Sequence, residues 1–130
     1  MSLKGGVVMD RKYILDGKTP VPCDLMTWAH QFKTSNRTVA KTEIGGVLIS
    51  TVFLGLDHNW LGGPPLLFET MVFGGKLDQE QERYSTWDEA EEGHKQMVER
   101  VEREGLAILA KIVNWLNEFL KAILNLGGEG

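Results

Sequence analysis

The segment Leu106 to Leu126 constrains this chain more than any other stretch. Leu109, Ile112, Leu116, Phe119, Ile123 and Leu126 alternate spacings of three and four, as a heptad seam does. Leu106, Val113 and Leu120 flank the seam on one side, and Ile108, Trp115 and Ala122 on the other. The apolar arc is therefore much wider than a minimal amphipathic stripe. A bilayer span is not expected, because Lys111, Asn114, Asn117, Glu118, Lys121 and Asn125 interrupt the run. Three destinations fit so broad a face. In order of preference these are burial beneath a sheet of the same chain, a subunit interface, and an interfacial membrane helix with a weakly cationic polar side. Gly105 bears on the choice. If it breaks the helix, two helices fold back over a sheet. If it does not, the spacing runs on from Val101 through Gly105, Ile108, Ile112, Trp115 and Phe119. A helix from Trp87 to Leu126 is then about 60 Å long and demands partners. The break is the favoured expectation.

Upstream, the pattern changes period. Lys12–Leu15 reads as a short strand stopped by Asp16-Gly17, and Pro20 and Pro22 keep the next stretch extended. Asp24 is placed to cap a helix from Leu25 to about Lys33, with Leu25, Trp28, Ala29 and Phe32 as its apolar stripe. Arg37–Ile44 and Val47–Leu56 read as strands joined at Gly45-Gly46, and Leu66–Phe73 reads as a third strand ended by Gly74-Gly75. Val47–Leu56 is apolar on both faces, which predicts a central strand covered on both sides. Lys76–Ser85 is polar and reads as loop. Thr86-Trp87-Asp88-Glu89 fits a capping box opening a helix to about Glu104, whose apolar face is Trp87, Ala90, His94, Met97 and Val101.

The expected fold is α+β: an antiparallel meander of three or four strands with a short N-terminal helix and one or two long C-terminal helices. At 130 residues the chain fits one domain, comprising a core over 4–104 and the amphipathic helix 106–126. Met1-Ser2-Leu3 and the closing Gly128-Glu129-Gly130 read as appended residues. No secretory signal is recognised, and the single cysteine, Cys23, fits a reducing compartment; the expected location is the cytoplasm. The net charge of −4 argues against general nucleic-acid binding. From Asp78 to Glu104 ten acidic residues face four basic ones, read as a solvated helix face with pairs such as Glu91–Lys95 and Glu99–Arg103. A helix that mimics nucleic acid toward a host protein is a weaker reading of the same excess.

Candidate chemistry gathers in two places. Asp57, His58 and Trp60 lie on a Gly/Pro-rich loop after the central strand, and Glu69 sits within the next strand among apolar residues. His94 interrupts an apolar helix face, with Glu91 three residues before it. The sharp hypothesis has Asp57, His58, Glu69 and His94 converging on a divalent metal or polar ligand, as in a small hydrolase. The simpler account, which is preferred, makes His58 a strand-end cap and His94 a hydrogen-bonded histidine at the core edge. His30 is expected to be exposed. Cys23 precedes a helix, where a thiol can be activated, but a small, partly buried residue is the preferred reading. No P-loop, dinucleotide fingerprint, HExxH, paired-cysteine zinc site or GxSxG elbow is present. No cofactor is implied.

The stretches Ser50-Thr51-Val52-Phe53-Leu54-Gly55-Leu56-Asp57-His58, Phe68-Glu69-Thr70-Met71-Val72-Phe73-Gly74-Gly75 and Tyr84-Ser85-Thr86-Trp87-Asp88-Glu89-Ala90-Glu91-Glu92-Gly93-His94 resemble a family of short uncharacterised proteins encoded by phages and prophages. The likeness runs from about Lys12 to Val101. It implies a phage or prophage origin and supplies no catalytic residues. The expected function is a non-catalytic accessory or interaction protein that self-associates through Leu109, Ile112, Leu116, Phe119 and Ile123, with a host or phage protein as a further partner. The alternative is the hydrolase built on the Asp57–His58 loop and Glu69.

Overall fold

A computed structural model describes residues 11–128. Its elements in chain order are β1 (Tyr13–Asp16), β2 (Thr19–Pro22), α1 (Leu25–Thr34), β3 (Thr38–Ile44), β4 (Val47–Phe53), β5 (Phe68–Phe73), β6 (Gln81–Tyr84) and α2 (Trp87–Gly128). Strands β3-β4-β5-β6 form an antiparallel meander, and β1-β2 form a separate hairpin. The α+β expectation holds, and the meander has its fourth strand. That strand lies within the stretch expected to be loop. Gln81-Glu82-Arg83-Tyr84 carries no apolar alternation because it is an exposed edge, held by pairing from Met71↔Gln81 to Phe68↔Tyr84. The prolines of β2 are tolerated because, among the described residues, it belongs to a two-stranded ribbon with no further neighbour.

The β3–β4 turn is Gly45-Gly46, both with positive φ (52° and 84°), the geometry a two-residue hairpin needs. β4 is central, and among the described residues a helix covers only one of its faces. Ile49, Thr51 and Phe53 are buried against α2, whereas Leu48, Ser50 and Val52 are half-buried on a face that no helix covers among the described residues. The expected second cover is not found among the described residues.

α1 starts at Asp24, whose Oδ1 accepts the Thr27 N–H at 2.8 Å. Its apolar stripe is shallow: Leu25 and Phe32 remain exposed, and no residue of the helix is buried. Gln31 ties it to β1 instead, donating to the Leu15 carbonyl at 3.0 Å and accepting the Leu15 N–H at 2.8 Å.

α2 opens on the expected capping box. The Glu89 N–H donates to Thr86 Oγ1 at 3.1 Å, and Glu89 Oε1 accepts from the N–H groups of Thr86 and Ser85 at 3.2 and 3.0 Å. Ala90, His94, Met97 and Val101 are buried beneath the helix. Its ion pairs reach the β5–β6 region, as Arg100–Glu80 at 3.0 Å and Lys76–Glu104 at 3.3 Å. The anticipated pairs Glu91–Lys95 and Glu99–Arg103 are not formed.

The helix does not break at Gly105. It runs for 42 residues, about 63 Å, and from Gly105 to Leu126 every residue is exposed. One glycine costs a helix only about 1 kcal/mol, and Ala, Leu, Glu and Lys surround this one. The expectation of a break, and of a final helix folded under its own sheet, is overturned.

Two glycines of α2 therefore call for opposite outcomes. A methyl group at Gly93 meets the Tyr84 ring directly, whereas one at Gly105 meets nothing. Gly93→Ala is expected to lose about 1–3 kcal/mol. Gly105→Ala is expected to gain about 0.5–1 kcal/mol, because alanine loses less backbone freedom than glycine in a helix. Urea denaturation read at the core aromatics checks both.

Candidate functional site

The covered face of the sheet is layered. Ile49↔Val72 and Phe53↔Phe68 are paired apolar rows, and between them lies Thr51↔Thr70. Each apolar row anchors its own cluster, one with Met97 and Val101, the other with Leu67 and Ala90. Across the middle row lies His94. Its Nδ1 is 2.7 Å from Thr51 Oγ1 and its Nε2 is 2.8 Å from Thr42 Oγ1. Thr51 Oγ1 is in turn 2.6 Å from Thr70 Oγ1, and Thr70 is hydrogen-bonded to the Tyr84 side chain. The chain Thr42–His94–Thr51–Thr70–Tyr84 satisfies a neutral imidazole at both nitrogens, since each hydroxyl supplies whichever role the ring lacks. Burial pushes the His94 pKa down and keeps the ring neutral. Burial likewise pushes the Tyr84 phenol up; its hydrogen bond with Thr70 pulls the other way.

The loop residues singled out from the sequence lie elsewhere and bond locally. Asp57 Oδ1 accepts the Asn59 N–H at 2.8 Å and the Leu66 N–H at 3.0 Å, which closes the loop. The His58 Nδ1–H donates to the Leu56 carbonyl at 2.8 Å. Asn59 donates through Nδ2 to the Pro64 carbonyl at 2.8 Å. Trp60 is 76% exposed with the Arg11 guanidinium 4.0 Å above its ring, and Arg11 also donates to the Asp57 carbonyl at 2.6 Å.

Glu69 alternates with the buried Phe68 and Thr70, so it points to the uncovered face, where Arg83 holds it at 3.0 Å. His94 is on the covered face. The sheet therefore separates Glu69 from His94, and neither joins the Asp57–His58 loop. Glu91 and His30 are exposed. Among the described residues, no group of three His, Cys, Asp or Glu side chains is placed to hold a metal ion. At Cys23, burial and then the Asp24 carboxylate push the thiol pKa up, partly offset by Lys12. No segment of the described residues is both long and apolar enough to cross a membrane as a helix.

What stands open is the seam. Leu109, Ile112, Leu116, Phe119 and Ile123 are 43–55% exposed, and the Trp115 and Phe119 rings stack at 5.6 Å on the outside of the projecting helix. Where α2 leaves the sheet, a groove of about 710 Å³ opens between the turns at Gly45 and Gly74–Leu77 and the helix from Val101 to Leu109. Sequence reasoning missed this groove because its walls are turn tips and a helix face brought together only by the unbroken Gly105. Comparison with family models, curated proteins and solved structures gives no match for this chain.

The buried histidine makes stability depend on pH. Its folded pKa lies below the unfolded value of about 6.5, so the unfolded chain takes up the proton first as pH falls. The contribution is complete above about pH 6.5 and is lost as pH drops below it. Urea midpoints between pH 7.5 and 5 should fall in the native protein. His94→Gln should be weaker by about 1–3 kcal/mol at pH 7.5 and lack that component of the slope.

Proposed function

We propose that this chain is a non-catalytic, self-associating interaction protein of phage or prophage origin. The observation that carries the reading is the projecting half of α2. Its large apolar side chains from Leu106 to Leu126 are 43–77% exposed on one continuous arc. They present on the order of 1,000 Å² per chain, beyond the largest patch a soluble monomer ordinarily shows and on the scale of a stable interface. The head domain offers a folded platform, in which the polar groups most suggestive of chemistry are spent on structure. His94 bridges strands, Asp57 closes a loop and Glu69 pairs with Arg83. The phage assignment rests on the three stretches quoted from Ser50 to His94. A host or phage protein is a further partner in this reading, one that binds the head or the assembled arm.

Solution mass by light scattering tests it. The native chain is expected at a multiple of 14.6 kDa across micromolar concentrations. Ile112→Glu or Leu116→Glu should reduce it to the monomer, because each places a charge in the seam. Both positions are open in the single chain, so the denaturation midpoint of the head should stay within about 0.5 kcal/mol of the native value. A strictly monomeric native chain defeats the proposal.

A further inference from the structure

Resting on that self-association, we infer that the arms pair antiparallel, with the end of each arm seated in the groove at the partner's sheet edge. The first argument is steric. The sheet and the exposed seam lie on the same side of one continuous helix. The sheet covers Ala90, His94, Met97 and Val101, and the same three-four spacing continues through Gly105, Ile108 and Ile112. A neighbouring helix packs with its axis about 8–10 Å away, within the layer the sheet already occupies. In a parallel pair, the head half of the partner's α2 would have to continue through that sheet. In an antiparallel pair the two arms lie against each other beyond the sheet edges, and the two sheets sit at opposite ends. The apolar arm of 21 residues, about 31 Å, runs from that edge to its own last leucine.

The second argument is register. Reversing one copy about the midpoint between Asn117 and Glu118 brings Leu109 opposite Leu126, Ile112 opposite Ile123, and Leu116 opposite Phe119. All six seam residues then meet apolar partners, with none left over. Leu126 of one copy arrives at Leu109 of the other, which lines the groove together with Ile44, Val47, Leu77 and Ile108. The occupant has matching chemistry, because Ile44, Val47, Leu77, Val101, Ile108 and Leu109 line the groove, with Lys76, Glu102 and Glu104 beside them, and the arriving segment carries Leu124 and Leu126.

Charge favours a second copy over a lipid surface. The arm carries only Lys111, Glu118 and Lys121, and Lys121 pairs with Glu118 at 3.7 Å. Helices that lie in a membrane interface depend on a strongly charged polar face, which is missing here.

The test uses the full chain with Cys23→Ser and one nitroxide-labelled cysteine at a time, replacing Asn117 or Asn125. Both residues are exposed and lie outside the seam. Mass is measured first, then the distances between labels by pulsed electron paramagnetic resonance. Antiparallel pairing offsets the two 125 labels by about 22 Å along the helices and the two 117 labels by about 2 Å, so the 125-to-125 distance exceeds the 117-to-117 distance by about 10–15 Å. Oligomers whose two distances agree within a few ångströms overturn the orientation and leave self-association standing. A monomer overturns both. Leu126→Glu, at a side chain 77% exposed in the single chain, is expected to weaken association at least tenfold without altering the head. Unchanged association in that variant overturns the seat in the groove.

Discussion

The contact on which the rest of this structure depends is His94 lying across the Thr51–Thr70 row. A strand slipped by one residue turns its whole buried set outward, and apolar rows alone resist a two-residue slip only weakly. Here such a slip would set the imidazole against an aliphatic or aromatic row and leave two ring nitrogens and two hydroxyls buried without partners. Each unsatisfied group costs about 1–3 kcal/mol. The polar layer thus specifies one register for β3, β4 and β5 at once, since Thr42, Thr51 and Thr70 come from three successive strands. It also fixes α2 along its axis, because only one helical position carries the ring. Burial makes the same histidine a point of weakness as the pH falls.

How much of this was legible in the sequence follows from which signals were local. The capping box at Thr86 and Glu89, the Gly45-Gly46 hairpin and the three apolar strands are written within a few residues each, and all appear where expected. β6 escaped notice because an exposed edge strand has no apolar alternation to read; its partner defines it. The open face of β4 misled because Leu48 and Val52 are as apolar as covered residues. For the candidate site the reverse holds. Asp57, His58, Glu69 and His94 are the right residue types for chemistry, but the sequence does not say on which side of a sheet a residue falls. The simpler accounts of His58 and His94 match the hydrogen bonds these side chains make.

Gly105 shows why a propensity argument needs a magnitude. Its penalty of about 1 kcal/mol is local, whereas stopping the helix would leave carbonyls of the last turn to be capped. The sequence around it offers the Schellman spacing, with Val101 four residues before Gly105 and Leu106 after it, but no following proline. That one stop signal does not end the helix, which continues through Gly105. The result is an element with two halves of opposite character on a single face: the first completes the core, and the second repeats the core's periodicity with no sheet beneath it.

That repetition has a thermodynamic consequence. An isolated helix of about 20 residues is only marginally stable in water, and most helical stability in proteins comes from packing of an apolar face. The arm beyond Gly105 has no packing within its own chain among the described residues, and its β-branched and aromatic residues are not strong helix formers. Propagation from the capped head removes the cost of nucleation, and any cover over the seam would add packing. When that cover is the reversed arm of a second copy, each chain supplies the packing that stabilises the other, and arm order and association become one cooperative event. A substitution in the seam then acts twice, lowering affinity and loosening the helix, while the head, held by its own polar layer, keeps its fold.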